Sequence, residues 1–468
     1  MPTSDCMTSV VNQVEDWLAE AGSLLDRRVR LGVTGLSRAG KTVFIASLVH
    51  HLLHPGRLKL LSVLAEGRFD AAMLQPMPGG SVPRFRYEAV LQDLMGSAGR
   101  LPRWPDGTKA VSELRLSIRF RSPLAFGFER PRTLHLDIVD YPGEWLLDLP
   151  LLSLDYATWS RQAVAQARTG GRNALSAEWL ALVGAMPPDA PADEPAVIRA
   201  AEAYRAYLHA ARNAPERFSM LQPGRFLLPG EMAGAPALTF FPLPDAPARA
   251  ERGTLARLMA DRFESYKREI AGPFFDDHLK RIDRQVVLVD LLDHLAAGPE
   301  SLSDLKEAID GTLGAFRHGE SSWLSVLFGK RIARVLFAAT KADHLPNTDH
   351  QHLADLLDTL VGDTARRLSY AGARIQSEAI AALRVTREAS VETPSGRWPG
   401  IAGLPLDSEQ IEEVLPGALP RSLDAVTGSG QFVPIGFRPM PGIVRSDQGP
   451  PSLRIDRALE FLLGDVLA

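Results

Sequence analysis

The segment Gly35-Leu36-Ser37-Arg38-Ala39-Gly40-Lys41-Thr42 decides the fold of this chain. It fits the pattern G-x-x-x-x-G-K-[ST] and lies between residues 28–34, whose alternation predicts a strand, and residues 43–54, which predict a helix. Glycines let successive backbone N–H groups curl inward around a phosphate, and the helix N-terminus adds partial positive charge. Lys41 is placed to reach the β- and γ-phosphates of a nucleotide, and the Thr42 hydroxyl to ligate Mg²⁺. We therefore predict a phosphate-binding loop.

A second motif, Asp140-Tyr141-Pro142-Gly143, follows a predicted strand at residues 134–139. An aspartate at the carboxyl end of such a strand is where the Mg²⁺ of a bound nucleotide is held through water. Gly143 frees the backbone to approach the γ-phosphate. In isolation D-x-x-G equally fits a strand-ending turn, because Asp and Gly are common turn residues. Its position after a phosphate loop favours the Mg²⁺ role.

A third motif, Thr340-Lys341-Ala342-Asp343, closes the apolar run at residues 335–339. The carboxylate of Asp343 can accept hydrogen bonds from guanine N1–H and from the guanine 2-amino group. Adenine presents an acceptor nitrogen there and would leave a desolvated anion unpaired. The stem of Lys341 can lie along the base. An ordinary exit from a strand into a loop is the alternative, and the order of the three motifs favours a guanine site.

Composition sets the class of protein and excludes several kinds of partner. The chain has 468 residues, of which 45% are hydrophobic and 23% charged, as is typical of a globular protein. A net charge of -4 gives no basic field, so we predict no nucleic-acid partner. The single cysteine, Cys6, permits no internal disulfide. The first residues lack a signal-peptide pattern and no apolar run reaches the roughly 18 residues of a membrane span, so we predict a cytoplasmic protein.

Strand patterns alternate with helical patterns along much of the chain. The predicted elements are an antiparallel pair of strands at 113–121 and 133–139, further strands at 285–292, 332–340 and 377–385, and helices at 302–316 and 350–370. This alternation predicts an α/β fold with a mostly parallel sheet flanked by helices.

The three motifs occur in the order found in P-loop GTPases, which this chain resembles. More closely, G-L-S-R-A-G-K-T at 35–42, D-Y-P-G-E-W-L-L-D-L-P at 140–150, A-A-T-K-A-D-H at 338–344 and R-A-L-E-F-L-L-G-D at 457–465 resemble the bacterial YcjX-like, stress-associated GTPase family. The resemblance spans nearly the whole chain and is weak at 151–283. It implies a P-loop NTPase fold of GTPase type, binding of GTP/GDP with Mg²⁺, and a link to stress responses. It also implies an unknown protein effector, with a membrane protein encoded nearby as a candidate.

In the predicted domain organisation, most of the residues beyond those of the GTPase domain belong to an insertion and a C-terminal extension. This organisation comprises an N-terminal amphipathic helix at 1–27, the first part of the GTPase domain at 28–150, a large helical insertion at 151–283, the second part of the GTPase domain at 284–389, an irregular or small β extension at 390–451, and a closing helix at 452–468.

Further site residues follow from the GTPase pattern. A switch threonine should lie between the phosphate loop and Asp140, and Thr108 fits that place, with a solvent-exposed turn as the alternative. Trp104 either covers the nucleotide or fills a core. The last element on the base side should follow the strand at 377–385, which makes Leu383, Arg384 and Val385 candidates by position.

Three residues depart from the small-GTPase pattern and bear on mechanism. Ser37 stands where glycine is common near the γ-phosphate, so its side chain can crowd the attacking water or hydrogen-bond to phosphate. Glu144 occupies the place of a water-orienting glutamine, where a carboxylate either acts as a base or forms a structural salt bridge. Arg38 either supplies positive charge to the transferred phosphoryl group or faces solvent. We therefore predict slow hydrolysis.

The candidate residues divide into three groups. Predicted catalytic residues are Arg38, Lys41, Thr108, Gly143 and Glu144; predicted nucleotide-binding residues are Gly35, Ser37, Arg38, Ala39, Gly40, Lys41, Thr42, Val43, Trp104, Thr108, Lys341, Asp343, His344, Leu383, Arg384 and Val385; predicted Mg²⁺ ligands are Thr42, Thr108 and Asp140.

The predicted function is slow hydrolysis of GTP by a guanine nucleotide-binding switch, and two alternatives stay open. One is a guanine nucleotide-binding interaction module with negligible turnover, and the other is an ATPase. His50, His51 and His54 are predicted to lie on a helix surface rather than in a metal site. Residues 323–331 either pack on the sheet as a helix or touch a membrane surface.

Overall fold

A seven-stranded mixed sheet forms the centre of the computed structural model, which describes residues 27–36, 38–77, 80, 82–97, 99–123, 129–314, 332–430 and 432–468. The helix predicted within residues 1–27 and the apolar and basic segment at 323–331 lie outside the described residues. The strands are β1 (Arg27–Gly35), β2 (Phe69–Gln75), β3 (Ser112–Pro123), β4 (Glu129–Asp140), β5 (Arg284–Val289), β6 (Arg334–Ala339) and β7 (Arg374–Ala379).

The strand order is β2-β3-β4-β1-β5-β6-β7. β1 pairs in parallel with β4 and β5, and β5, β6 and β7 continue the parallel arrangement. Every residue of β5 is buried, as expected of a central parallel strand covered on both faces. The mostly parallel α/β class predicted from the sequence is therefore confirmed.

The predicted antiparallel pair is also confirmed, with a register that runs from Ser112 opposite Asp140 to Pro123 opposite Glu129. β2 adds an antiparallel edge strand that the sequence patterns did not predict. The strand predicted at 377–385 is misplaced, because β7 ends at Ala379. The chain after β7 forms a loop whose Arg384 N–H donates to the carbonyl of Pro451.

Helices cover both faces of the sheet. The flanking helices are α1 (Lys41–Leu53), α2 (Tyr87–Met95), α8 (Leu291–Ala297), α9 (Pro299–Gly314), α10 (His350–Tyr370) and α11 (Ile455–Leu467). One apolar core joins α1 and α11 to the sheet, and a second joins α8, α9 and α10 to its other face. The helix predicted at 350–370 coincides with α10, because its apolar residues keep helical spacing along its whole length.

Between β4 and β5 the chain forms a helical region with its own core. Its helices are α3 (Tyr156–Ala167), α4 (Arg172–Gly184), α5 (Glu194–Asn213), α6 (Leu255–Tyr266) and α7 (Gly272–Asp277), with a single helical turn at Gly224–Leu227. The side chain of Asp155 caps α3 by accepting from Thr158 N at 2.7 Å. Aromatic rings fill the core, and Trp159 stacks on Phe263 with 5.1 Å between ring centroids.

The C-terminal part builds a three-stranded antiparallel sheet from β8 (Thr386–Thr393), β9 (Gly396–Gly403) and β10 (Glu412–Val414). The chain then returns across α1. The prediction that His50 and His51 lie on a helix surface is wrong, since both are buried. His50 Nε2 bonds the carbonyl of Arg445 at 2.7 Å, and His51 Nε2 bonds the hydroxyl of Ser452 at 2.9 Å.

Within the described ranges, no helix combines the length and the hydropathy needed to cross a bilayer.

Candidate functional site

The phosphate-binding loop connects β1 to α1 at the carboxyl edge of the sheet. Ala39 N–H donates to the carbonyl of Leu36 at 3.1 Å and closes the turn. Arg38 and Gly40 have φ angles of 68° and 77°, in the left-handed region that glycine adopts without strain. The loop therefore leads directly into the first turn of α1. The backbone N–H groups of that turn have no acceptor within the helix and can donate to a phosphate.

Lys41, Asp140 and Thr108 converge beside this loop. Lys41 Nζ lies 3.1 Å from Asp140 Oδ1, and the Thr108 hydroxyl donates to Asp140 Oδ2 at 2.9 Å. The parallel register of β1 with β4 sets Asp140 opposite Val33, just before the loop. All three residues come from separate parts of the chain, and the sequence predicted each of them for the phosphate end of the site.

Gly143 ties the D-x-x-G segment to the phosphate loop. A Cβ atom on Gly143 would lie only 2.3 Å from the carbonyl oxygen of Gly35. Only glycine permits this approach, which places the backbone of the segment in contact with the loop.

The donor set at this end consists of hard oxygen atoms. The Thr42 and Thr108 side chains line the cavity beside the loop, and the Thr108 hydroxyl bonds the Asp140 carboxylate. Mg²⁺ prefers oxygen ligands and usually takes few from protein, with the rest from phosphate and water. No cluster of three or more His, Cys, Asp or Glu residues occurs within the described chain, which suits an ion held mainly by phosphate. The residues present therefore fit Mg²⁺.

The base end of the site lies at the carboxyl ends of β6 and β7. Thr340, Lys341, Asp343 and His344 line the same cavity as the phosphate loop, with a volume of about 560 Å³. This is a size typical of ligand pockets. The Asp343 carboxylate is buried and accepts from Val385 N at 2.8 Å, which fixes its orientation.

Lys341 extends from this motif toward the end of β5. Its ammonium group bonds Asp290, and Asp293 lies 3.9 Å away. Burial alone would lower the pKa of Lys341, but these two carboxylates outweigh it and raise the pKa above the ordinary value. Lys341 therefore stays charged, with its stem along the cavity wall.

Most predicted nucleotide-binding residues line this one cavity. They are Gly35, Arg38, Ala39, Gly40, Lys41, Thr42, Val43, Trp104, Thr108, Lys341, Asp343, His344 and Leu383, and the predicted catalytic Glu144 joins them. Ser37 lies outside the described residues. Neither Gly143 nor Asp140 is on the cavity wall, although Asp140 contacts Lys41 and Thr108, which are.

Two predicted base-side residues do not line the cavity. Val385 is buried and acts through its backbone N–H on Asp343. The Arg384 side chain turns to Glu388, 3.3 Å away. The roles of Arg384 and Val385 in nucleotide binding therefore stay predictions, and Leu383 is the candidate of the three that lines the cavity. Because β7 ends earlier than expected, Ala381 and Ala382 line the wall together with Leu383.

The C-terminal extension supplies a wall that sequence patterns missed. Leu406, Gly436 and Phe437 line the cavity, and Trp104 Nε1–H donates to the carbonyl of Phe437 at 2.8 Å. The His344 and Phe437 rings are nearly perpendicular, with 5.2 Å between their centroids. These contacts join segments far apart in the chain, so no local pattern around Phe437 could have indicated them.

The segment that follows D-x-x-G is enclosed by the helical region. All residues from 143 to 149 are buried. Trp145 Nε1–H donates to the carbonyl of Leu228 at 2.9 Å, and the guanidinium of Arg225 lies 3.2 Å from the centre of the Trp145 ring. Asp148 accepts from Gly224 N at 2.7 Å and from the Tyr266 hydroxyl at 2.5 Å. These contacts join the phosphate end of the site to the helical region.

Two acidic side chains of this segment are held by helical-region partners. Burial raises the pKa of Asp148 to about 6, although the bonds from Tyr266 and Gly224 oppose the shift. Glu144 Oε1 accepts from Arg212 Nη2 at 2.7 Å, and Glu144 is 6% exposed. The salt-bridge alternative for Glu144 therefore holds in this structure. Arg212, which also lines the cavity, was not predicted.

Sequence comparisons extend over the whole of this architecture. A model of the YcjX-like family, DUF463, matches residues 29–467. The chain is 39% identical over 457 residues to "Ras-like GTPase YcjX" of Escherichia coli (strain K12), covering 95% of this chain and 97% of that protein. It is 34% identical over 471 residues to "Ras-like GTPase YcjX" of Shewanella oneidensis (strain ATCC 700550 / JCM 31522 / CIP 106686 / LMG 19005 / NCIMB 14063 / MR-1), covering 94% of this chain and 95% of that protein. The chain belongs to the YcjX-like family, DUF463.

Proposed function

We propose that this protein binds guanine nucleotide in the cavity between the phosphate loop and Asp343, and that it hydrolyses GTP to GDP and phosphate. One observation carries the proposal: Lys41 and Thr108 meet Asp140 at one end of a cavity of about 560 Å³, and the buried carboxylate of Asp343 lines its other end. The printed names of the two relatives, both "Ras-like GTPase YcjX", support it.

Separate groups of residues would bind the phosphates and the base. The loop N–H groups and Lys41 bind the β- and γ-phosphates, and Asp343 accepts from the N1–H and 2-amino groups of guanine. Thr42, Thr108 and Asp140 would hold Mg²⁺, which neutralises charge on the phosphates when bound. Ala381, Ala382, Leu383, Trp104 and Phe437 line the same cavity, and we propose that they surround the base.

The turnover we propose is slow. Glu144 stands where a water-positioning residue is expected, but its carboxylate is buried and paired with Arg212. A paired carboxylate is a weak base toward water, and its negative charge disfavours approach to a triphosphate. We further propose that the protein acts as a stress-associated switch, with Thr108 and the D-x-x-G segment responding to the γ-phosphate and the helical region passing the change to a protein effector.

Titration calorimetry of GTP and GDP tests the binding proposal. Lys41→Ala is expected to abolish measurable affinity, because its ammonium group is the buried cation beside Asp140. Lys59→Ala is the matched control, since Lys59 is exposed and its side chain lies outside the cavity. Wild-type affinity in Lys41→Ala would refute the assignment of the cavity.

Base selectivity is tested with a second substitution. Asp343→Asn replaces an acceptor with a mixed donor and acceptor, so we expect the preference to move from guanine toward xanthine nucleotides. A guanine preference equal to that of the wild type would contradict the role of Asp343. Competition between ATP and GTP for the wild-type protein tests the ATPase alternative. Preferential binding of GTP would exclude it, and preferential binding of ATP would support it.

The ion pair of Glu144 with Arg212 favours one other function. If the pair never opens toward water, the protein is a guanine nucleotide-binding interaction module with negligible turnover. Phosphate release in a single turnover from bound GTP separates the two functions. Release no faster than spontaneous hydrolysis would support the binding module.

A further inference from the structure

Arg212 reaches the candidate site from outside the nucleotide-binding sheet. It is the penultimate residue of α5, and its side chain lines the same cavity as Lys41 and Arg38. The helix that carries it is anchored in the helical-region core, since Tyr204, Leu208 and Ala211 are buried. A guanidinium is therefore held at the site by a packed helix of the same chain.

The ion pair with Glu144 locates this guanidinium along the nucleotide. Glu144 follows Gly143, whose backbone touches Gly35 of the phosphate loop. Glu144 Oε1 and Arg212 Nη2 are 2.7 Å apart, and both side chains line the cavity. Because the D-x-x-G segment approaches the γ-phosphate in P-loop GTPases, Arg212 lies at the end of the cavity where that phosphate would be.

The charges of the pair argue for a contact with phosphate. A buried carboxylate at Glu144 would repel a triphosphate if it stood alone. A guanidinium presents five donors in a planar fork, so it can keep the carboxylate and still donate to a phosphate oxygen. The pair is therefore neutral and keeps spare N–H donors at a position where Glu144 alone would bring only negative charge.

We propose that Arg212 is a catalytic residue of the GTP hydrolysis proposed above, on which this inference rests, and that it donates hydrogen bonds to the γ-phosphate from the helical region. Water oxygen forms a bond to the γ-phosphorus while the bond to the β–γ bridging oxygen breaks. That oxygen leaves with the electron pair on GDP, and the protons of the water pass to inorganic phosphate and solvent. The Arg212 guanidinium stabilises the charge on the transferred group.

The helical region thereby becomes part of the active site. Arginine supplied to a transferred phosphoryl group within the same chain or by a partner raises the rate by about 10³–10⁵. Here the arginine is built into the chain, so any displacement of α5 changes the rate without a change in the phosphate loop.

Single-turnover hydrolysis of bound GTP by the full chain tests this role. Arg212→Ala is expected to lower the rate by about 100-fold or more, while its affinity for GDP stays within about 10-fold of the wild type. Arg212→Lys keeps the charge and loses the fork, so it should recover only part of the rate. Arg199→Ala, on an exposed position of the same helix, is the control and should match the wild type.

A second readout separates catalysis from folding. The wild-type protein with GDP should bind aluminium fluoride as a mimic of the transferred phosphoryl group, and Arg212→Ala should lose this binding while its urea unfolding stays cooperative. A rate in Arg212→Ala within about 3-fold of the wild type, or retained aluminium fluoride binding, would overturn the role of Arg212 and leave the proposed function intact. A wild-type protein that binds GTP without hydrolysing it, or does not bind GTP, would overturn both.

Discussion

Substitution of Gly224 by alanine tests whether the D-x-x-G segment and the helical region are locked together. Gly224 begins the single helical turn Gly224–Leu227. A Cβ atom built on it would lie 1.7 Å from the carbonyl oxygen of Glu144 and 2.5 Å from its carbon. Because these are backbone atoms, no change of rotamer relieves the overlap.

The size of the effect follows from this geometry. Ordinary contact begins near 3.4 Å, so the two backbones must separate by roughly the 1.7 Å that is missing. Such a movement breaks the 2.7 Å bond from Gly224 N to Asp148 Oδ1. Overpacking costs about 1–3 kcal/mol and a lost hydrogen bond to a buried carboxyl about 1.5–3 kcal/mol. We therefore expect the free energy of unfolding to fall by about 3–5 kcal/mol.

Urea unfolding followed by tryptophan fluorescence measures this loss, since Trp145 lies in the contact region. Gly184→Ala is the matched control, because a Cβ on Gly184 meets no atom within 4 Å. It should be neutral or slightly stabilising, as alanine favours the helix. Unfolding of Gly224→Ala within about 1 kcal/mol of the wild type would refute the close backbone contact.

Two further predictions concern buried charges. Burial lowers the pKa of His51 from 6.5 to about 4. Between these two pH values the folded state therefore binds fewer protons than the unfolded state. The stability that His51 contributes is fully present above pH 6.5 and is lost as the pH falls toward 4. At about 1.36 kcal/mol per pKa unit, the loss over this range is slightly more than about 3 kcal/mol. His51→Gln should remove this part of the acid sensitivity, and urea unfolding curves with the same pH dependence in both proteins would contradict it. Asp304→Ala should cost about 3–5 kcal/mol because it leaves the buried guanidinium of Arg172 unpaired, whereas Glu392→Ala, which breaks an exposed ion pair, should cost less than about 1 kcal/mol; equal losses in thermal or urea unfolding would refute the difference.

Local sequence patterns predicted those parts of the fold whose structure depends mainly on residues close together in the chain. The phosphate loop needs glycines at fixed places, and α10 has an uninterrupted apolar stripe, so both were predicted where the structure has them. The apolar run after Ala379 reads as more strand, and here the prediction was wrong. Hydrogen bonds from Arg384 N to Pro451 and from Val385 N to Asp343 hold that run as a loop.

The residues missed at the site share a cause. Phe437 comes from the C-terminal extension and Arg212 from the helical region, and each reaches the cavity through tertiary packing. The burial of His51 was missed for the same reason, because its hydrogen-bond partner Ser452 is far away in the sequence. Spacing within a motif carries no information about such partners. Lys41, Asp140 and Asp343 were predicted because each belongs to a sequence motif that follows a strand, and these strands end at one edge of the sheet.

The enclosure of the D-x-x-G segment constrains how any change at the γ-phosphate can spread. The segment is buried from 143 to 149, and its polar atoms are held by Gly224, Tyr266 and Arg212 of the helical region. A buried hydrogen bond that loses its partner costs about 1–3 kcal/mol, so the segment cannot move alone without several such losses. Either the helical region moves with it or the segment stays fixed. A partner that reads the nucleotide state would therefore contact the outer surface of the helical region, since the segment itself offers no exposed residue.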